Sequence, residues 1–422
     1  MAQPGHRSLR RALLLLVSTA LSAALASALC VAPSQAADRI PREFFGMDVA
    51  ITSQGETSWP ALDVGAVRVA LSWRSVEQSI GAYTWNDLDA KVATAESHDA
   101  QPLLVLEGTP GFHATGKAPH YGSAPRLKAY RSFVRALVAR YGDRADYQVW
   151  NEGNVPIFFD GTPANLAAMS RVLGRATRDL APSAQVLAPS FVIRGSGTLR
   201  EVYRAYWSQK IGRFSVGRFV DAAAISAYPM EPEDPEDALV LTQWAQRVLD
   251  KKGFQGPLWA SEINYGASGL QPTIAPIPMR RQVAYVVRTY ALHASAGADR
   301  VYWWRWLPHI TVNTTLNNGK GGLTRAGKAY RSVEDWLVGT RPTGCKVAKG
   351  VRTCGFRLDK QTTRYVSWTR SGQTRVVVAP AGSRTKTKPS GATSRVRRGD
   401  RVRVGLTPVM IETRSRRDSR SR

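Results

Sequence analysis

Two glutamates stand at the ends of short apolar runs, and glutamate is a residue type that performs acid, base or nucleophilic chemistry. Glu152 comes shortly after the run Tyr147–Trp150, and Gly153 then interrupts the pattern. Glu262 follows a second run, Pro257–Ser261. Apolar runs of this length that stop at a glycine or a charge are typical of buried strands. Both carboxyl groups are therefore predicted at the carboxyl ends of strands.

A pair of carboxyl groups at such positions can cleave a glycosidic bond with retention of configuration. That reaction needs two carboxyl groups about 5–5.5 Å apart, one to protonate the leaving oxygen and one to attack the anomeric carbon. The acid must be protonated at rest and the nucleophile ionised, so a cation and hydrogen-bond donors are expected beside the nucleophile. Arg68 and Tyr228 are of the right types to hold that carboxylate, and Asn151 to bind a sugar hydroxyl. The alternative is an ordinary surface ion pair at each glutamate.

The elements that must position these side chains follow an alternating pattern. From Asp38 to Thr340, short apolar runs alternate with longer amphipathic ones, which indicates βα units around a parallel sheet. The predicted strands are Phe44–Met47, Ala66–Leu71, Pro102–Leu106, Tyr147–Trp150, Gln185–Ala188, Ala222–Ser226, Leu258–Ala260 and Arg300–Trp304. The clearest predicted helices are Asp87–Ser97, Pro125–Tyr141, Pro163–Leu180, Asp234–Lys252 and Met279–Ala296.

Eight strands in about 300 residues favour a (β/α)8 TIM barrel over residues 38–340. In that fold the carboxyl ends of the strands form the active-site face. Glu152 and Glu262 would belong to strands four and seven, which face each other across the barrel mouth. An open doubly wound sheet is the alternative, but no glycine-rich phosphate loop follows the first predicted strand.

After Thr340 the sequence pattern changes to short runs of alternating apolar and polar residues, separated by glycine, proline, serine and aspartate. These runs are Gly355–Leu358, Arg364–Thr369, Arg375–Ala379, Arg401–Leu406 and Val409–Glu412. They predict a small, basic, antiparallel β-sandwich-like domain over residues 341–413. Residues 414–422 mix arginine, serine and aspartate, which is typical of a disordered tail.

The first 37 residues have the pattern of a signal peptide. Arg7, Arg10 and Arg11 precede the mainly apolar run Ala12–Leu29, and small residues at Ser34–Ala36 suit a signal peptidase. This predicts a secreted or cell-envelope protein. An uncut membrane anchor is the alternative, but the run is short for a spanning helix, which needs about 20 residues.

Two cysteines, Cys345 and Cys354, remain after the leader. Outside the reducing cytosol such a pair is expected to form a disulfide. The six histidines are scattered with no pair at ligand spacing, so neither a metal nor another cofactor is expected.

The net charge of +26 is concentrated near the end of the chain. Residues 341–422 contain 22 Lys or Arg and 4 Asp or Glu. Nucleic acid is one partner for such a surface, but export favours an anionic cell-wall polymer. A solvated surface without a partner is the other alternative. The expected partners are therefore a carbohydrate and a cell-wall polyanion, without nucleic acid and without stable membrane insertion.

Several segments resemble glycoside hydrolases of clan A. Trp150–Asn154 matches the motif Trp-Asn-Glu-Pro-Asn except at Gly153, and Gly81–Asp89 matches Gly-x-Tyr-x-Trp-x-x-Leu-Asp. Leu106–Phe112 resembles the turn after strand three, and Gly327–Tyr330 the entry to the last helix. The chain is most similar to the family 39 group of xylosidase- and iduronidase-like enzymes and their bacterial polysaccharide-cleaving relatives.

This resemblance implies a role for each matched position. It implies that Glu152 is the acid/base, that Glu262 is the nucleophile, and that a strand-eight tryptophan, Trp304, lies under the sugar. Strict alternation along that strand would place Trp304 and Trp306 on one face, opposite Trp303 and Arg305.

Two positions depart from the family pattern. Ser226 stands where many relatives have histidine, and Gly153 replaces proline, which predicts a looser loop around Glu152. The expected function is a secreted retaining glycoside hydrolase that cleaves β-glycosidic bonds. The alternative is a catalytically silent glycan-binding protein of the cell envelope. At the other strand ends, Asp48 and Glu107 are expected either to bind hydroxyls or to form salt bridges.

Overall fold

A computed structural model describes residues 39–49, 59–116, 118–195, 197–230, 232–266, 276–309 and 311–415. The predicted signal peptide, residues 1–37, lies outside these ranges, as do residues 416–422 of the predicted tail.

Eight parallel strands form the first part of the structure. They are β1 (Phe45–Asp48), β2 (Ala66–Ser72), β3 (Gln101–Glu107), β4 (Asp146–Gln148), β5 (Val186–Leu187), β6 (Ala223–Ser226), β7 (Leu258–Ile263) and β8 (Arg300–Trp303). Their order in the sheet is β6-β7-β8-β1-β2-β3-β4-β5, and a parallel bridge from Leu187 to Ala222 brings the two ends together. The predicted (β/α)8 barrel is confirmed.

Helices cover the outside of the strands. They are α1 (Asn86–Ser97), α2 (Leu127–Tyr141), α3 (Pro163–Leu180), α4 (Thr198–Trp207), α5 (Pro235–Lys251), α6 (Met279–Ser295) and α7 (Arg325–Leu337). A four-residue helix, Trp73–Val76, and two small hairpins, Glu77–Ser79 with Ala82–Tyr83 and Lys210–Ile211 with Phe214–Ser215, lie in the connections. The five predicted helices are confirmed to within two residues. No helix within the described ranges is both long and apolar enough to span a bilayer.

Local sequence explains where the best-defined helices begin. Thr162 and Asn165 form a reciprocal capping box at the start of α3, and Pro163 occupies its first position. Asp234 and Asp237 do the same for α5. These caps satisfy backbone N–H groups that a helix cannot satisfy itself. Each of these helices follows a barrel strand, so its start lies on the side of the barrel where the strands end.

The barrel interior is packed by alternate strand residues. Its cluster consists of Ala66, Leu103, Val105, Leu187, Ala222, Ala224, Trp259 and Tyr302, all at most 1% exposed. Gly46 of β1 makes room for this packing, because a Cβ atom there would lie 2.6 Å from Cδ1 of Tyr302. Large side chains on one strand therefore face small residues on its neighbours, and the barrel is filled.

The C-terminal region is antiparallel, as predicted. Its strands are β9 (Arg341–Ala348), β10 (Val351–Arg357), β11 (Thr362–Trp368), β12 (Arg375–Val378), β13 (Ser383–Thr387), β14 (Thr393–Arg395), β15 (Arg401–Val404) and β16 (Val409–Arg414). Six form a sheet in the order β9-β10-β11-β16-β13-β14, and β12 pairs with β15. Strand β16 includes Arg414, the first residue of the segment predicted as a tail. Cys345 and Cys354 pair across β9 and β10 and form the predicted disulfide.

A buried polar contact joins the β-region to the barrel helices. Nε1 of Trp368 donates to Oε1 of Glu236 over 2.7 Å, and Glu236 also pairs with Arg288 of α6. Nearby, Nη1 of Arg364 donates to the carbonyl oxygen of Trp336 over 3.1 Å at the end of α7. These contacts connect the β-sheet to α5 and α7 directly, and to α6 through Glu236.

Gly65 directly precedes β2, the strand that carries Arg68, and its lack of a side chain lets the start of β2 pass close to the backbone of Arg42. A Cβ atom at this position would lie 2.2 Å from the carbonyl oxygen of Arg42, which is backbone and cannot turn aside. We expect Gly65→Ala to lower the free energy of unfolding by about 1–3 kcal/mol, measured by urea denaturation. Gly111→Ala is the control, because its Cβ would meet nothing nearer than 3.7 Å. Equal stabilities for both variants would contradict this account of Gly65.

Candidate active site

A cavity of about 720 Å³ opens at the carboxyl ends of the barrel strands. All six residues predicted for the site line it: Arg68, Asn151, Glu152, Tyr228, Glu262 and Trp304. They come from five different strands or the loops that follow them. The structure thus brings together residues that are far apart in the sequence.

Glu262, on β7, is held by two donors. Its Oε1 lies 2.5 Å from Nη2 of Arg68, and its Oε2 accepts a hydrogen bond of 2.7 Å from the hydroxyl of Tyr228. All three side chains are buried. Hydrogen bonds from a cation and a phenol stabilise the ionised form of a carboxyl group.

The Arg68 guanidinium also contacts two further strand ends. Its Nη2 donates to Oδ1 of Asn151 over 2.9 Å, and its Nη1 donates to Oδ2 of Asp48 over 3.2 Å. Burial lowers the pKa of Arg68, but the carboxylates of Glu262 and Asp48 outweigh it, so the net shift is upward and the side chain stays charged. Of the two roles considered for Asp48, the salt bridge is the one observed.

Glu152 lies in the loop after β4 and has a left-handed backbone, with φ of +38°. This conformation is unfavourable for a residue other than glycine and persists only where the surroundings hold it. Here the N–H of Glu152 donates to Oγ of Ser190 over 2.9 Å, and the N–H of Gly153 donates to the carbonyl oxygen of Ser190 over 2.9 Å. The loop after β5 therefore fixes the direction of Glu152.

Gly153 is closely packed, contrary to the looser loop expected from the missing proline. A Cβ atom there would lie 2.7 Å from Cδ1 of Leu166, on α3. Proline would also remove the N–H that bonds to Ser190. Asn154 anchors the loop further, since its Nδ2 donates to the carbonyl oxygen of Val192 over 2.7 Å. The glycine belongs to a close contact between the loop and α3.

Burial raises the pKa of both glutamates. At Glu152 this effect outweighs the opposing influence of the Ser226 hydroxyl and the Arg194 guanidinium. At Glu262 burial outweighs Arg68, and the Glu152 carboxylate adds to the rise. The two groups interact, so they titrate as a pair in which the first proton is bound well above the usual glutamate range.

Ser226, on β6, stands where many of the glycoside hydrolases that the chain resembles have histidine. Its Oγ is buried and forms no hydrogen bond of standard geometry within the described residues. It still lies close enough to the Glu152 carboxyl group to lower the pKa of that group.

The side chains after β8 do not alternate as expected. Trp303 and Trp306 are both fully buried, whereas Trp304 and Arg305 both line the cavity. The prediction was wrong because β8 ends at Trp303, and strand alternation ends with it. Trp304 meets the ring of Tyr228 edge-on, with centroids 6.3 Å apart.

Two arginines of the cavity were not predicted as site residues from the sequence. Arg194 follows β5 and lies over the ring of Tyr228, 5.8 Å from its centroid. Nε of Arg305 lies 3.9 Å from Oδ1 of Asp48. Both residues stand in irregular loops, where hydrophobic periodicity carries no signal. Glu107, at the end of β3, also lines the cavity.

Comparison of this sequence with known proteins finds no match, whereas comparison of the structure with solved structures finds several. No protein-family model and no curated protein matches the sequence. Among solved structures, a family 39 glycoside hydrolase from the gut symbiont Bacteroides cellulosilyticus WH2 matches with a TM-score of 0.69 and 18% identity, over 89% of this chain and 81% of that chain.

Other matches belong to further glycoside hydrolase families. A family 30 endoxylanase from Clostridium papyrosolvens C71 has a TM-score of 0.63 and 10% identity, over 90% of this chain and 98% of that chain. A family 44 xyloglucanase from Paenibacillus polymyxa has a TM-score of 0.53 and 10% identity, over 90% and 97%. The chain thus has the barrel fold of clan A glycoside hydrolases, and the resemblance stated from the sequence is confirmed at that level.

The raised pKa of Glu152 predicts a pH-dependent effect on stability. Because its carboxyl group ionises less readily in the folded state, its ionisation destabilises the fold as pH rises above the unfolded value of about 4.3. Glu152→Gln removes that cost. We expect its Tm to exceed that of the wild type at pH 8, by on the order of 2 °C, and the difference to vanish near pH 4.

Calorimetry at both pH values measures this difference. Glu201→Gln, at an exposed glutamate of α4, is the matched control and should show no such pH-dependent gain. A Glu152→Gln protein that is less stable than the wild type at pH 8 would show that the ionised carboxylate stabilises the fold.

Proposed function

We propose that this chain is a retaining glycoside hydrolase that cleaves β-glycosidic bonds in a polysaccharide or glycoside. The observation that carries the proposal is the asymmetry of the two glutamates in one cavity. Glu262 is bound by a guanidinium and a phenol hydroxyl, whereas the side chain of Glu152 has no such ion pair within the described residues. Acid and nucleophile require different environments of this kind.

The hydrogen bonds indicate which carboxyl group holds the shared proton. A guanidinium has donors and no acceptor, so the Glu262 oxygen beside Arg68 cannot carry a proton without repulsion. Its other oxygen accepts the hydrogen bond of the Tyr228 hydroxyl, and a proton there would displace that bond. We therefore place the shared proton on Glu152. This assigns Glu152 as the acid/base and Glu262 as the nucleophile, in agreement with the roles that the family resemblance implies.

The reaction then has two steps. Glu262 attacks the anomeric carbon and forms a glycosyl ester, while the glycosidic bond breaks and its oxygen takes the proton of Glu152. In the second step Glu152 takes a proton from water, and the water oxygen attacks the anomeric carbon. The sugar is released with its configuration retained and Glu262 is again ionised.

The remaining predicted residues have roles that fit this scheme. The Oδ1 atom of Asn151 accepts a hydrogen bond from Arg68. The Nδ2 group of Asn151 then remains to donate to a sugar hydroxyl. Tyr228 orients Glu262 through its hydroxyl. Trp304, on the cavity wall, offers an apolar ring face on which a pyranose can stack.

We expect Glu262→Gln and Glu152→Gln each to reduce turnover of a natural glycan by at least about 100-fold. The assay is release of reducing ends from a panel of plant, bacterial-envelope and host-type polysaccharides. An aryl glycoside of the released sugar then separates the two roles. The leaving group of an aryl glycoside needs little help from an acid, so the Glu152→Gln variant should still form the glycosyl ester. Added azide should then restore the turnover of this variant. The Glu262→Gln variant should not recover, because it lacks the nucleophile.

The control is Glu201→Gln, which should keep wild-type activity. Near-normal turnover in either cavity variant, with a correctly folded protein, would refute the assignment. Proton NMR of the first product distinguishes retention from inversion.

A second candidate is a catalytically silent glycan-binding protein of the cell envelope. The hydroxyl of Ser226, which replaces the family's histidine, favours it, because Oγ forms no standard hydrogen bond within the described residues. The same panel tests this candidate. Binding to one glycan without release of reducing ends would support it, and release would exclude it.

We also propose that the protein acts outside the cytoplasm and is retained there by an anionic cell-wall polymer. The support is the predicted leader and the excess of Lys and Arg over residues 341–422. Retention on such a polymer should weaken steeply between low and high salt, because exposed charges are screened. Retention that does not depend on salt would contradict an electrostatic attachment.

A further inference from the structure

A second cavity, of about 430 Å³, lies where the first turns of α5 and α6 meet the β-region. We call it the junction cavity. Its charged lining residues are Asp234, Asp237, Arg280, Arg281, Arg288 and Arg370. Because α5 and α6 follow β6 and β7, their first turns lie on the same face of the barrel as the catalytic cavity.

Two of the four arginines are neutralised by carboxylates. Nη2 of Arg370 lies 2.7 Å from both carboxylate oxygens of Asp237, and Nη2 of Arg288 lies 2.7 Å from Oδ2 of Asp234. No ion pair joins Arg280 or Arg281 to an acid within the described residues. The cavity therefore has a surplus of positive charge, and both surplus side chains are exposed.

These two arginines occupy an unfavourable place in their helix. Helix α6 begins at Met279 after Pro278, without a side-chain cap and without an acidic residue in its first turn. The N-terminus of a helix carries a partial positive charge, which repels cations and attracts anions. Arg280 and Arg281 add to that charge. Helix stability gives no reason for this arrangement, whereas an anionic ligand does.

Buried hydrogen-bond donors also favour an anionic ligand. The Arg288 side chain is fully buried and lines the junction cavity. Its Nε and Nη1 atoms have no hydrogen-bond partner within the described residues. Buried donors without acceptors are uncommon because they lose their hydration without compensation. Both atoms are enclosed by the protein, so an anion in the cavity would supply acceptors once the Arg288 side chain moves toward it.

The cavity is also connected to the catalytic strand. Tyr285, which lines it, packs against Tyr265 with ring centroids 4.9 Å apart. Tyr265 comes three residues after Glu262 on the same segment. A glycan chain held at the junction cavity would therefore lie on the side of the barrel mouth formed by β7.

We propose that the junction cavity binds a carboxylate or phosphate group of an anionic glycan polymer, with Arg280 and Arg281 as the main contacts. This inference rests on the proposed retention by a cell-wall polyanion and places it at a specific site. The two cations on which this site depends, Arg280 and Arg281, belong to the barrel helix α6. The basic strands after residue 340 then contribute a general attraction.

The test compares two variants that lose the same charge. One is Arg280→Gln with Arg281→Gln, and the other is Arg384→Gln with Arg395→Gln, at exposed arginines of the β-region that do not line the cavity. Binding of the full protein to polygalacturonate, long-chain polyphosphate and neutral dextran is measured by calorimetry at low salt. We expect the α6 variant to lose roughly tenfold or more in affinity for a polyanion, and the β-region variant less than about twofold.

The probes distinguish the sources of the anion. Loss confined to polygalacturonate identifies a carboxylate, and loss confined to polyphosphate identifies a phosphate. Equal losses in both variants would overturn the proposed site and leave only a general charge effect. If the wild type binds neither polyanion, or binds dextran equally well, the proposed polyanion partner itself is refuted.

Thermal unfolding separates binding from folding. Removal of two cations from the first turn of α6 should leave Tm unchanged or raise it, because the helix dipole no longer opposes them. Weaker binding by a protein of equal or higher Tm supports a ligand site. A lower Tm would show that the arginines stabilise the fold, which would overturn the argument from the helix.

Discussion

The candidate site depends on the burial of one guanidinium. Arg68 contacts Glu262, Asn151 and Asp48, which lie at or just after the ends of β7, β4 and β1. A buried charge is costly unless it is paired and hydrogen-bonded, so these strand ends must come together around it. The register of β1 with β2 sets Asp48 beside Arg68. Closure of the barrel thus brings together the acceptors that the buried guanidinium requires.

The two carboxyl groups then differ through their surroundings. Glu262 lies near the end of β7, where the register with β6 and β8 shifts, and receives two donors. Glu152 stands in a loop with a left-handed backbone, which Ser190 and the close packing of Gly153 hold in place. A strand thus holds Glu262 beside a cation, whereas an anchored loop holds Glu152. The unfavourable backbone at Glu152 is maintained by hydrogen bonds from the neighbouring loop.

Much of the barrel could be predicted because its strands are continuous apolar runs and most of its helices are amphipathic. The same rule missed β9, β13 and β14, whose side chains are mostly half-buried or exposed, because hydrophobic periodicity is weak where burial is weak. It also missed the ten-residue α4, although this helix buries Tyr203, Tyr206 and Trp207. The prediction of which side chains after β8 face the cavity was also wrong, because side chains alternate between two faces only within a strand.

The sequence by itself determined the strand and helix order, the two glutamates at strand ends, the cysteine pair and the uneven charge, because these depend on residue type and local period. The tertiary structure alone decided which side chains meet. It placed Arg68 against Glu262, Arg194 over Tyr228, and Arg280 and Arg281 at an uncapped helix start beside the β-region. Such contacts join residues that are distant in the chain. Their geometry follows from barrel closure and packing, which no local pattern encodes.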